Sequence, residues 1–226
     1  MLLEGIRLLP HDPRLGELTL RTLQLAFEAT ALALVLGLPA ACVIGIGRSR
    51  LSGAGQVVAN AGLGLPPVAV GVYFFLLLEA HYAPWGGRWL ESMNAMVLGQ
   101  AVLALPIIVA IGAIAIRDLP NGLVDQARAF GARGWRLAWF TVREAKIGVL
   151  TAVVLAIGSA FAEVGAVTLL GGNDPDSTAT LASQVINDTQ GQTDIPAAVE
   201  HTIVLLGLML ALGLVFTALQ HSGRRA

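Results

Sequence analysis

This chain of 226 residues is poor in charge and holds one cysteine. Charged side chains make up 13% of it and apolar ones 55%, a balance that excludes an ordinary water-soluble domain. The single cysteine, Cys42, lies in an apolar run. An intramolecular disulfide and a cysteine-type metal cluster are therefore excluded, and Cys42 reads as a small packing residue. There is no Gly-x-x-x-x-Gly-Lys-Ser/Thr phosphate loop, so the chain itself should neither bind nor hydrolyse ATP. The first twenty residues hold no uninterrupted apolar core, with Arg7 and Arg14 inside them and Arg21 just after. No removable signal peptide is expected, and the spans themselves should direct insertion. No repeat, linker or low-complexity tract sets off a second domain, and no cofactor, metal or nucleic-acid partner is expected.

What is present is hydropathy: the mean is +0.73. A helix crosses about 30 Å of hydrocarbon with roughly 20 mostly apolar residues, because unpaired backbone groups are too costly there. Five stretches qualify, approximately Leu23–Ile46, Val57–Leu78, Ala95–Ile116, Ile147–Leu170 and His201–Leu219, with Glu28 and Glu163 in or beside them. The expectation is an all-α membrane protein with five transmembrane helices in one domain, residues 1–226. Ten basic residues, among them Arg48, Arg50, Arg224 and Arg225, follow the first, third and fifth spans; Arg7, Arg14, Arg21 and Arg88 fall on the other side. Short cytoplasmic loops hold the excess, so the N-terminus is placed outside and the C-terminus in the cytoplasm.

The spans are punctuated. Pro39 and Pro106 each remove a backbone hydrogen bond and favour a bend. Gly62-Leu63-Gly64-Leu65-Pro66-Pro67 breaks the second span and permits close backbone approach. An ionisable group such as Glu163 inside a span faces protein or water. In a continuous helix it would lie about 15 Å from the outer end near Asn173; a gating hydrogen bond or a pathway-lining role are both open to it. Glu28 should reach the interface. After the fourth span, Gly171-Gly172-Asn173 signals a turn, Thr180–Asn187 a short helix, and Thr193 or Asp194 a cap for the fifth span. Asp174, Asp176, Asp188, Asp194 and Glu200 give this segment five negative charges, which read as a solvated acidic face or a docking surface for an external partner.

The segment 117–146 carries six of the fourteen Lys and Arg residues. Asp125–Phe130 has helical composition, Gly131 interrupts it, and Trp135, Trp139 and Phe140 follow in a second helical stretch. Helix, corner and helix make a protruding element that fits a cleft in a moving partner. The alternative is an amphipathic helix on the membrane surface, with Arg128, Arg133 and Arg136 meeting anionic lipid.

The run Asp125-Gln126-Ala127-Arg128-Ala129-Phe130-Gly131 resembles the Glu-Ala-Ala-x-x-x-Gly loop of ATP-driven importer permeases, matching at Ala127 and Gly131. Arg143-Glu144-Ala145-Lys146 is similar to the ending of that loop in the tungstate branch. Pro66-Pro67-Val68-Ala69-Val70-Gly71 resembles the Pro-Pro-x-x-x-Gly segment of oxyanion permeases, and Ala162-Glu163-Val164-Gly165-Ala166 with Gly171-Gly172-Asn173 resembles a stretch of tungstate permeases. The resemblance covers nearly the whole chain. It implies a type I ABC importer permease architecture with a cytoplasmic coupling loop at 117–146, where Asp125, Gln126, Ala127, Gly131 and Arg133 meet the ATPase. It also implies a pathway or gate drawn from Pro66, Pro67, Gly71, Glu163 and Gly165. The implied partners are two copies of an ABC ATPase subunit, an extracytoplasmic oxyanion-binding protein, a second copy of the chain and the lipid of a prokaryotic inner membrane. The implied cargo is an oxyanion, most of all tungstate, with molybdate or another oxyanion as the alternative.

Residues alone leave two rivals. An intramembrane serine protease would need Ser159 and His201 within about 3 Å of each other, yet one lies mid-span and the other at a span's edge. A secondary carrier driven by an ion gradient is the stronger rival, separable by whether an ATPase forms a stable complex with the chain.

Overall fold

The computed structural model describes residues 13–79, 89–120, 122–191 and 194–223. Arg7, Arg88, Thr193, Arg224 and Arg225 lie outside the described residues. Those described are helical with turns between, and none is in a strand. In chain order the elements are α1 Pro13–Ile46, α2 Arg50–Gly62, α3 Pro67–Leu78, α4 Met93–Arg117, α5 Leu123–Ala129, α6 Gly134–Glu144, α7 Lys146–Ala162, α8 Gly165–Gly171, α9 Leu181–Ile186, a π-helical turn Asn187–Gly191, and α10 Ile195–Gly223.

Three stretches, Arg14–Ile46, Met93–Arg117 and Ile195–His221, are long and apolar enough to cross a membrane unbroken. Pro39 and Pro106 sit inside α1 and α4 without ending them. α10 begins earlier than hydropathy suggests because Asp194 accepts a hydrogen bond from the Ala197 backbone at 3.1 Å, capping the helix ahead of Pro196.

The other two apolar stretches are interrupted. The second divides at Leu63–Pro66, where a proline pair cannot continue an α-helical ladder, into α2 and α3. The fourth, continuous by hydropathy from Ile147 to Leu170, divides at Glu163–Val164 into α7 and α8. Glu163 Oε1 accepts from the Ala166 backbone at 3.0 Å, so the carboxylate takes up one of the orphan donors that a helix start exposes. The distance count along one continuous helix does not apply to it. α6 and α7 meet at a bend of 79°.

The chain forms two compact units. One gathers Met1–Ala29, Pro66–Gln100 and Ile157–Leu214, and the other Thr30–Leu65, Ala101–Ala156 and Val215–Ala226. The first has a core of Leu25, Leu78, Ala95, Met96, Val167 and Leu170, with a second cluster at Leu18, Ala179 and Leu181. The second unit packs on small side chains. Ala33, Ala104, Ala152 and Ala156 surround Ile108, and Cys42 sits among Ile116 and Ala145 as a packing residue. Small residues let backbones approach, which is how helices gain dispersion contact in lipid.

In the first unit, α1 is tied to the segment after α8. Arg21 donates to the Pro175 carbonyl at 2.8 Å and also to the Asp176 carbonyl, while Thr22 Oγ1 accepts from the Leu181 backbone at 3.0 Å. The turn at Gly172 (φ +71°) and Asn173 (φ +54°) forms as its residues predict. Thr180 and Ser183 cap α9 reciprocally.

Candidate functional site: a coupling loop and a glycine-packed break

Why 123–146 forms two helices with a corner is visible in its hydrogen bonds. α5 ends at Ala129, Gly131 has φ +86°, the Gly131 N–H donates to Arg128 O at 2.9 Å and the Ala132 N–H to Ala127 O at 2.9 Å. That pair of bonds is a Schellman closure with glycine at its left-handed position. Ala127 is buried, whereas Asp125, Gln126, Gly131 and Arg133 are exposed. Asp125 is held from two sides, accepting from Arg48 at 3.2 Å and from Arg128 at 3.1 Å. The structure thus brings Asp125, Gln126, Ala127, Gly131 and Arg133 onto one helix–corner–helix element and gives two further residues a part in it. Arg48 anchors the loop to the end of α1; its signal was only its place in a basic stretch. Phe130 stands 93% exposed at the corner beside Gly131, a large apolar side chain with nothing of its own chain over it.

The second group forms in the other unit. Pro66 precedes α3 and Pro67 is its first residue, which suits a ring whose φ is preset and whose missing N–H would be an orphan there anyway. Along α3, Gly71 faces α8 so closely that a Cβ would lie 2.8 Å from the Ala166 Cα. At Gly165 a Cβ would lie 2.6 Å from Val68 Cγ2. Gly71 and Gly165, almost a hundred residues apart, therefore serve one contact between α3 and α8, with Pro67 opening α3 and Glu163 taking up an N–H at the start of α8. Neither helix carries an Arg or Lys. The geometry is a close helix–helix contact without cationic side chains, next to a break in the span.

The five acidic residues after α8 divide. Asp174, Asp176 and Asp194 are exposed, but Asp188 and Glu200 are 1% and 2% exposed, which corrects a uniformly solvated face. Asp188 accepts from Gln184 at 2.8 Å and pairs with His201 Nδ1 at 2.8 Å. Buried charge is tolerable only with such partners, and no periodicity in the sequence announces a pairing thirteen residues apart across a turn. Asp174 accepts from the Ser177 hydroxyl, from the Asp176 backbone, and lies near Arg21; these hold its carboxyl below the ordinary carboxylate range. Glu28 is exposed and accepts from Gln24 at 2.9 Å. Among the described residues no cluster of three or more His, Cys, Asp or Glu is placed to hold a metal ion.

Comparison with known proteins places these features. The family described as binding-protein-dependent transport system inner membrane component matches residues 33–222. A probable anion ABC transporter permease protein of Haloferax volcanii is 33% identical over 91% of this chain and 88% of its own length. A molybdenum transport system permease protein of Azotobacter vinelandii is 31% identical over 75% and 78%. A tungstate uptake system permease protein of Peptoclostridium acidaminophilum is 25% identical over 96% and 97%. Among solved structures, a chain of the inward-facing MetNI methionine ABC transporter superposes with a TM-score of 0.69, covering 89% of this chain and 92% of its own at 18% identity. The shared fold is that of a type I ABC importer permease.

Proposed function

This chain belongs to the family of binding-protein-dependent transport system inner membrane components, and from that premise we propose that two copies of it form the passage by which tungstate enters the cell. The chain is a multi-pass inner-membrane subunit of an ABC importer for an anion, and subunits of this family work with ATPase subunits and a binding protein. It supplies no catalysis itself. The proposed assembly is a homodimer with two ATPase subunits at the 117–146 loops and an extracytoplasmic oxyanion-binding protein on the opposite side. In it, residues 1–226 act as one transmembrane domain. Membership in the family sets aside the carrier driven by an ion gradient.

The observation that carries the oxyanion reading is the α3–α8 contact. The two segments that resemble oxyanion permeases, around Gly71 and around Gly165, meet each other, and both glycines are needed for the approach. We assign that contact and the Glu163 break to the gate. Because α3 and α8 lack Arg and Lys, the gate would pass a dianion without retaining it, and selectivity falls to the binding protein. Tungstate is favoured by the Arg143–Lys146 ending and by a tungstate uptake permease that aligns over 96% of the chain. Molybdate is the nearest competitor, since both are tetrahedral dianions of similar size.

The test is ATP-coupled uptake by the reconstituted complex. Tungstate should enter with ATP hydrolysis, molybdate should compete, and exchanging the binding protein should change the preferred oxyanion more than any permease substitution. Entry of an amino acid, sugar or cation with no response to either oxyanion would sink the substrate while leaving the importer class intact. Orientation is tested separately. In a Cys42→Ser background, Arg133→Cys should react only from the cytoplasm and Ser177→Cys only from outside; equal labelling of both by an impermeant reagent would overturn it.

A further inference from the structure

The end of α1 and the length of α6 enclose an open groove of about 480 Å³ whose walls are almost wholly apolar, with Pro39, Val43 and Ile46 on one side and Trp135, Trp139 and Val142 on the other. Trp135 and Trp139 stack with ring centroids 5.9 Å apart, yet remain 76% and 57% exposed. α6 has three faces. Thr141 and Leu137 are buried on the protein, Leu137 also reaching the groove, the two indoles with Ala138 and Val142 line the groove, and Arg136 and Arg143 stand exposed on a third stripe. Arg128 lies at the groove's rim. From Leu123 to Lys146 there are five basic residues against the two acids Asp125 and Glu144.

We infer that this groove is a site for one anionic phospholipid, its acyl chain against the indoles and its headgroup held by Arg128 and Arg136. Three observations converge on that occupant. A helix bent 79° from α7 lies near the plane of the membrane when α7 crosses it. Indole rings concentrate where hydrocarbon meets headgroups. An apolar stripe flanked by a cationic one is the pattern of a helix resting in an anionic leaflet, and each basic residue near such a surface favours it by about fivefold. The lipid then fills the space between α6 and α1, so that a push delivered at Gly131 reaches α1 through a packed contact rather than across an empty groove. This rests on the chain being a membrane protein and not on its cargo.

The test uses the full complex in nanodiscs of equal parts phosphatidylglycerol and phosphatidylcholine, with a photo-crosslinking phenylalanine analogue at position 139 and mass spectrometry of the adduct. With two arginines at about fivefold each, phosphatidylglycerol should be enriched about 25-fold over phosphatidylcholine. The enrichment should fall to near unity in Arg128→Gln/Arg136→Gln while total lipid crosslinking stays, and Val43→Trp, which fills the groove from an exposed position, should lower crosslinking to both lipids. Adducts that follow the bulk composition would reduce the groove to an ordinary lipid-facing surface and overturn the site. Crosslinks to the ATPase or to a second copy of the chain would overturn it by naming a different occupant.

Discussion

Two glycines, Gly131 in the coupling loop and Gly71 on α3, are indispensable for opposite reasons. Gly131 has open space around it but a φ of +86°, so any side chain fits and the backbone objects. Gly71 has ordinary helical backbone, yet a Cβ there would strike the Ala166 Cα at 2.8 Å, so the backbone is content and the space is missing. One region is specified by local conformation, the other by long-range packing. The loop can therefore be altered without disturbing the span, whereas the α3–α8 contact cannot.

The sharpest break to that comparison is Gly71→Ala. Because the obstacle is backbone and not a side-chain tip, α8 must move, and we expect a loss of about 1–3 kcal/mol with transport abolished; a thermal melt in detergent with wild-type midpoint would remove the packing argument. Next comes Gly131→Leu, which forces a branched residue into the left-handed region at about 1–2 kcal/mol. Membrane insertion should survive while ATPase docking or coupling is impaired, and unchanged uptake per ATP hydrolysed would count against the loop's role. Third, Glu163 separates into two effects. Glu163→Ala removes the acceptor for the Ala166 N–H and should cost about 1 kcal/mol, while Glu163→Gln keeps an oxygen there and should retain most stability and transport. If the Gln variant fails as badly as Ala, the negative charge and not the cap is what matters.

The smallest effect is at Asp174. Its folded pKa is depressed, first by the Ser177 hydroxyl, so its contribution to stability is present above the ordinary carboxylate value and fades as pH falls through the depressed one. Ser177→Ala should move that fading to higher pH. An unchanged acid limb in the pH–stability curve would show that the hydroxyl is irrelevant.

The same contrast explains what was legible in the sequence. The helix–corner–helix form of the 117–146 loop was readable almost residue by residue, because helix, Gly131 corner and aromatic helix are local instructions within twenty-odd residues. So were the turn at Gly172 and the cap at Asp194. The division at Glu163–Val164 was not, since a helix break inside an apolar run leaves mean hydropathy untouched; its only trace was an acidic residue three positions before an alanine whose N–H needed a partner. Nor was the meeting of Gly71 with Ala166 readable from spacing, because nothing in either segment names the other. Their resemblance to known oxyanion permeases marked them as important without saying that they touch. The burial of Asp188 with His201 was missed because five acids in thirty residues look alike until each is placed.

Arg21 and Thr22 hold partners at Pro175, Asp176 and Leu181, 154 to 159 residues further along the chain. At a synthesis rate of about 5–20 residues per second, α1 leaves the ribosome on the order of ten seconds or more before the segment that secures its early half exists. During that interval the guanidinium of Arg21 has only Glu17, one turn away, to engage. The order of manufacture thus makes this tie a late one to close, ahead only of those that α10 brings, such as Asp188 with His201. A chain interrupted before Pro175 lacks these polar ties on Arg21 and Thr22, although Leu25 already has Leu78, Ala95 and Met96 to pack on.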